Sequence, residues 1–274
     1  MTATAPRVIH VAHSPDADDA FMFWAMAAGK IDTGGRRYVH ELADIESLNR
    51  RALAGELEVT AVSLHAYAYL VDRYGPRIVA RTPPPADPRR ALARCRIAVP
   101  GELTTAYLTL RLYQPDAAHV VVPFDQIEDF VLAGKADAGL LIHEGQLTYA
   151  DRGLHLWADM GAWWHEETGL PLPLGGNVVR RDLGEELMRS IARDLKASIE
   201  YGLAHRPEAL RHAKGYSRGL DTSRTDEFVG MYVNAYTVDY GATGRRAVSE
   251  LLGRAHRAGL IPAPVDLAFV AADS

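Results

Sequence analysis

The sequence is short of sulfur, of long apolar runs and of excess positive charge. Its 274 residues include one cysteine, Cys95, which excludes an internal disulfide framework and a cysteine-based metal cluster. Arg94, Arg96 and Ile97 place that cysteine at the start of an apolar run, where it reads as a small buried or edge residue in a reducing compartment rather than a nucleophile. No uninterrupted apolar run approaches the roughly 20 residues that a membrane-crossing helix needs. Met1–Pro6 hold no basic segment leading into an apolar stretch of signal-peptide length, so a cytoplasmic location without membrane partners is expected. A net charge of -5 and a pI near 6.1 supply no broad basic field for a polyphosphate backbone, and nucleic acid is not an expected partner. The glycine fingerprints of dinucleotide and nucleotide sites and the G-x-S-x-G turn of α/β-hydrolases are all missing.

What is present is an ordinary globular composition, 48% hydrophobic and 24% charged, at a length that suits one large α/β domain or two small lobes with a cleft between them. Arg7–Ala12 is dense in β-branched residues and reads as a strand, with Ser14-Pro15 as punctuation. A helix is expected to start at Pro15, with Asp16, Asp18 and Asp19 complementing its dipole, and to stop at Gly29. A second helix fits Ile45–Ala54, closed by Gly55 and followed by a strand over Leu57–Leu64. The proline-rich Thr82–Pro88 must be loop, and a strand over Arg96–Val99 opens a new region.

That region repeats the first. Ile97–Val99, the loop Pro100–Leu103 and a helix from Thr104 echo Ile9–Val11, His13-Ser14 and the helix from Pro15. Further on, a helix over Ile127–Ala133 ends in Leu132-Ala133-Gly134 before a strand over Ala138–Ile142, mirroring Leu53-Ala54-Gly55 and its strand. Two such copies imply two parallel-sheet lobes, and sheets of this kind bind ligands outside the carboxyl ends of their strands, so the facing ends should define one cleft. The expected division is a large lobe of residues 1–97 plus 176–274 and a small lobe of residues 98–175. Helices over Leu183–Leu203, Asp226–Ala235 and Arg245–Ala258 are expected to pack mainly on the first lobe.

His143 falls at the carboxyl end of the Ala138–Ile142 strand, nine residues after Gly134, and Ser63 falls eight residues after Gly55 in the other copy. A histidine there suits general-base chemistry near neutral pH, but the chain has eleven histidines and a satisfied core residue fits the position as well. Glu144 beside it reads either as orienting the ring or as a solvated neighbour, with the solvated reading favoured. Thr104-Thr105 begin a helix whose backbone N–H groups and hydroxyls would hold a carboxylate, although a threonine there is also a simple N-cap, and Glu102 is an awkward neighbour for an anion. His10, His13, Asp16 and Asp19 match no standard ligand set, so no metal is assigned. Trp163-Trp164 read as packing near the crossing between lobes.

Several runs together resemble the 1,4-dihydroxy-6-naphthoate synthase family: Val99–Tyr107, Ala138–Glu144, Gly161–Trp164, Thr168–Gly175 and Tyr232–Ala235, in matching order and spacing. The resemblance implies an α/β, two-lobed type II periplasmic-binding-protein-like fold. It also implies a carbon–carbon lyase that converts cyclic dehypoxanthinylfutalosine to 1,4-dihydroxy-6-naphthoate and dihydroxyacetone in menaquinone biosynthesis, with no cofactor and a small-molecule carboxylate as partner. The family's catalytic base falls on His143, and its substrate contacts fall on Ala61, Val62, Ser63, Thr104 and Thr105, with Ser14 from the first lobe. The chain departs from the family pattern where Asp16 replaces a common cysteine in the run after Ser14, and where Ala61 replaces a common lysine. A solute-binding protein for a small anion and the related chorismate dehydratase are the competing readings. The former works outside the membrane, and the latter fits His143 with Thr104-Thr105 less well.

Overall fold

The computed structural model describes residues 7–63 and 75–272, so Met1–Pro6 and the last residue of the strand expected over Leu57–Leu64 lie outside the described residues. The chain begins with strand β1 (Val8–His13), helix α1 (Ala17–Ala27), β2 (Arg37–Leu42), α2 (Ile45–Leu53) and β3 (Val59–Val62). It continues through β4 (Arg77–Ala80), α3 (Pro88–Leu92), β5 (Arg96–Val99), α4 (Thr105–Tyr113), β6 (Ala118–Val121), α5 (Ile127–Leu132) and β7 (Ala138–Leu141). Next come α6 (Gly145–Thr148), β8 (His155–Asp159), α7 (Met160–Thr168) and β9 (Gly176–Val179). Helices α8 (Glu185–Ala204), α9 (Arg206–Ala213), α10 (Thr222–Tyr232), α11 (Ala235–Val238) and α12 (Gly241–Arg257) complete it.

These elements fall into two units, one of Met1–Val62, Asn177–Val233 and Ala268–Ser274, the other of Ser63–Gly176 and Asn234–Leu267. The first holds a sheet in the order β2-β1-β3-β9, the second a sheet in the order β6-β5-β7-β4-β8. Their opening halves share one topology. Strand β1 runs parallel to β2 and β3 (Val11↔Val59), as β5 runs parallel to β6 and β7 (Ile97↔Ala138). Even the helix ends match: Gly55 at φ 70° and Gly134 at φ 71° each follow a helix. In both, the glycine N–H and the next N–H turn back onto the last helical turn, Gly55 to Ala52 and Glu56 to Arg51, Gly134 to Val131 and Lys135 to Phe130. Only glycine takes that left-handed position without cost, so the glycines fix where each following strand begins.

In the first unit α1 is buried on nearly every side, with Phe21, Met22, Phe23 and Trp24 all inside, and it packs against α8, α9 and α10. Ser198 of α8 donates to the carbonyl of Met22 at 2.7 Å and accepts from Met26 N–H at 3.1 Å. Asp194 of the same helix accepts from Arg36 Nε at 2.8 Å, from Arg36 Nη2 at 2.9 Å and from the Tyr38 hydroxyl at 2.5 Å. This buried carboxylate ties α8 to the start of β2 with charge-assisted bonds. Asp194→Asn, which keeps the shape but removes the charge, is expected to cost about 2 kcal/mol of stability in urea unfolding.

The second unit packs Ile78, Ile97, Val99, Leu110, Leu140 and Trp164 into one core, and α12 contributes Leu251 and Ala255 to it. The C-terminal helices, expected to pack mainly on the first lobe, divide between the two units. Helices α8 and α10 do pack on α1, whereas α12 covers the second unit because its apolar stripe meets α4 there. The division also differs from the expected one, since residues 63–97 and 234–267 belong with the second unit. Asn234 breaks the helix expected over Asp226–Ala235, because its side chain and that of Thr237 form a reciprocal cap that starts α11. Helix α1 starts at Ala17 rather than Pro15, and Asp16 at its N-cap makes no capping bond but pairs with Arg218 at 2.5 Å. Gly139 in β7 lets α5 lie close, since a Cβ there would sit 2.6 Å from Ile127 Cγ2.

Candidate active site

Strands β5 and β7 are parallel neighbours, so the loops at their carboxyl ends emerge on one side of the second sheet. After β5 come Gly101, Glu102 and the N-cap Thr104 of α4, and after β7 comes His143. His143 is 6% exposed, its ring meets Phe124 edge-on with centroids 5.4 Å apart, and its carbonyl accepts from Gln146 N–H at 2.8 Å. Glu144, expected as a solvated neighbour, is buried at 4% exposure because the chain turns at once into α6, whose first turn it begins.

The two threonines are buried and already bonded within the unit. Thr104 Oγ1 donates to Gly101 carbonyl at 2.7 Å and accepts from Tyr107 N–H at 3.2 Å, so its hydroxyl acts as a helix cap. Thr105 Oγ1 donates to Leu174 carbonyl at 2.5 Å, while its N–H donates to Ser63 Oγ at 3.0 Å. The Ser63 and Thr105 hydroxyl oxygens are 3.5 Å apart. Ser63, Thr105 and the start of α4 thus form one hydrogen-bonded group. Glu102 is drawn aside by His119, whose Nε2 is 2.8 Å from Glu102 Oε1.

The remaining expected residues lie in the first unit. Ala61 and Val62 are buried in β3, and their side chains carry no polar atoms. Ser14 comes after β1, and its N–H donates to Asp19 Oδ2 at 2.7 Å. Asp19 is buried rather than exposed at the helix start, and desolvation pushes its carboxyl up to about 7 against the pull of the Ser14 bonds. His13 stacks on Phe23 with centroids 4.4 Å apart, its Nδ1 is 3.1 Å from Ser14 carbonyl, and its Nε2 is 3.3 Å from His40 Nδ1. Burial holds both imidazoles down to about 4. The pairing of His13 with His40 was not foreseen, since His40 lies 27 residues on; the β1–β2 register, in which Val11 faces His40, brings the two together.

Among the described residues no three His, Cys, Asp or Glu side chains form a group suited to a metal ion, and no helix is long and apolar enough to cross a membrane. Cys95 is half-buried at the foot of β5, and burial raises its thiol further.

A family model described as menaquinone biosynthesis matches residues 9–257. The 1,4-dihydroxy-6-naphthoate synthase of Thermus thermophilus is 40% identical over 94% of this chain and 98% of its own. A protein of Archaeoglobus fulgidus, known from its crystal structure, superimposes with a TM-score of 0.87 at 45% identity, covering 93% of this chain and 98% of that one. The alkanesulfonate-binding protein of Xanthomonas axonopodis pv. citri superimposes with a TM-score of 0.71 at 12% identity, covering 96% of this chain and 97% of that one. That last likeness speaks for the fold alone, which is the periplasmic-binding-protein-like α/β class that the family resemblance implies.

Proposed function

The chain belongs to the menaquinone-biosynthesis family that includes 1,4-dihydroxy-6-naphthoate synthase, and from that premise we propose that it is the lyase that converts cyclic dehypoxanthinylfutalosine to 1,4-dihydroxy-6-naphthoate and dihydroxyacetone. The observation that carries this reading is the placing of His143 on the same side of the second sheet as the Ser63–Thr105 group. The substrate is a carboxylate with a sugar-derived polyol, and it needs one group to hold the anion and another to take a proton.

In this reading the aromatic carboxylate docks at the start of α4, beside Ser63, Thr104 and Thr105. There the positive end of the helix dipole meets it and Glu102 is held away by His119. His143 takes a hydroxyl proton from the sugar-derived part. The electrons of that O–H bond become the carbonyl of the three-carbon product as the carbon–carbon bond breaks, the pair of the broken bond passes into the ring fragment, and that fragment takes the proton back from the imidazolium and gains aromaticity. Burial beside Phe124 keeps the imidazole from trading its proton with bulk water. The other residues that the family resemblance offers as contacts, Ser14, Ala61 and Val62, belong to the first unit, and Ala61 offers only a methyl group where a lysine is common, so charge recognition is assigned to the start of α4.

Incubating the purified protein with cyclic dehypoxanthinylfutalosine is expected to yield the naphthoate by mass, with no added cofactor. Tight binding of a small anion with no product would point instead to a solute-binding role. Water loss from chorismate would point to the dehydratase.

A further inference from the structure

We propose that Glu128 is a positioning residue for His143, its buried carboxylate steadying the ring and favouring the imidazolium that forms when the base takes its proton. The proposal rests on the reading of His143 as that base. Glu128 lies on α5, is 7% exposed, and has Oε1 without a hydrogen-bond partner among the described residues. Its other oxygen has one long ion pair, Oε2 to Arg152 Nη1 at 3.5 Å, and Arg152 is shared with Asp129 through Nη2. A carboxylate buried with so little compensation is costly, and such cost is usually retained where the charge has a use.

The use is set by Gly145. A Cβ at that residue would lie 2.9 Å from Glu128 Oε2 and 3.3 Å from His143 Cε1. The carboxylate and the imidazole edge therefore border the same point, beside the Gly145 backbone. Cε1–H lies between the two ring nitrogens and is the most positive of the ring's C–H groups when the ring is protonated. A fixed negative charge at that edge favours the protonated ring and disfavours rotation away from it. The other charged groups around the pair are Asp129, Arg152, Glu144 next in the chain, and Arg77, which donates to Gln146 carbonyl at 2.5 Å. Arg152 offsets Glu128 only in part, because it is bound also to the exposed Asp129.

The experiment is the pH profile of kcat/KM for cyclic dehypoxanthinylfutalosine with wild-type, Glu128→Gln and Glu128→Asp proteins. Glu128→Gln keeps the shape and an acceptor for Arg152. It is expected to move the acidic limb down by about one pH unit and to lower plateau kcat about threefold, with KM little changed. Glu128→Asp, which keeps the charge but withdraws it, should place the limb in between, and it carries the test if the glutamine variant does not fold. An acidic limb that superimposes on wild type in both variants overturns the proposal. If His143→Ala itself keeps wild-type turnover, the base reading has failed instead, so the two failures are read from different proteins.

Discussion

Replacing His143 with alanine is expected to lower kcat by about 10²- to 10⁴-fold while leaving KM for the cyclic substrate within a few-fold of wild type. The split comes from what the side chain does in the proposed reaction. A general base acts as the proton moves, so its loss raises the barrier without removing the groups that hold the carboxylate, which lie at the start of α4 and at Ser63. The variant should stay folded. His143 lies two residues beyond β7, and its ring contributes an edge contact to Phe124 rather than a place in the main core cluster. Circular dichroism and a urea midpoint close to wild type would establish that, and product formation measured by mass would give kcat. His143→Gln should be as slow, since an amide of similar size accepts a hydrogen bond but does not take a proton near neutral pH. Wild-type turnover in either variant would remove His143 from the mechanism and leave its burial beside Phe124 as packing alone.

How much of this was legible in the sequence depended on whether the signal was local. The repeat was legible because each copy carries its own punctuation. Gly55 and Gly134 are the same device in the same place, and the strands after them begin at equal distances, β7 at the expected Ala138 and β3 at Val59 rather than the expected Leu57. Strand β5 was expected over the four residues it occupies, Arg96–Val99. The packing of α12 was not legible, because an amphipathic stripe shows that a helix is covered without showing by what, and Leu251 and Ala255 meet partners more than 100 residues earlier. For the candidate site, the place of His143 after β7 came from the repeat, whereas the capping of Thr104 and the anchoring of Thr105 to Leu174 depend on contacts that spacing does not encode. Glu128 is not legible for the same reason. On α5 it reads as one of two acids in a first helical turn, and only the close approach across Gly145 marks it out.

Between about pH 6.5 and pH 4 the buried His13 and His40 are expected to draw stability from the first unit, against an opposing gain from Asp19. The carbonyl of Ser14 only accepts, so His13 Nδ1 must carry the proton, and His13 Nε2 is left to accept from His40 Nδ1–H. That chain exists only while His13 is neutral, and a proton on His40 Nε2 would be buried without a hydrogen-bond acceptor among the described residues. A proton on His13 Nε2 would set two N–H groups against each other at 3.3 Å, in a place stacked against Phe23 and with the His212 ring adding to the repulsion. Both groups have folded-state values near 4, below the ordinary 6.5, so the unfolded chain binds more protons throughout that interval. Stability is therefore full above about 6.5 and falls as pH drops through the interval to 4. For His13, which is 5% exposed, a displacement of this size corresponds to about 3 kcal/mol. His40 is only partly buried, and solvent screening makes its share smaller. Asp19 works in the opposite sense, since its carboxyl is pushed up to about 7 and its protonation on acidification favours the folded state. That contribution is present whether or not residue 13 titrates, so it largely cancels when two proteins are compared. Urea unfolding of wild type and His13→Gln at pH 7 and pH 4.5 separates the effects. The glutamine variant should be the weaker protein at pH 7 yet lose less between the two pH values, by about 2 kcal/mol, because a neutral amide has no proton to gain. Equal losses in the two proteins would mean that the paired imidazoles are not what acid attacks.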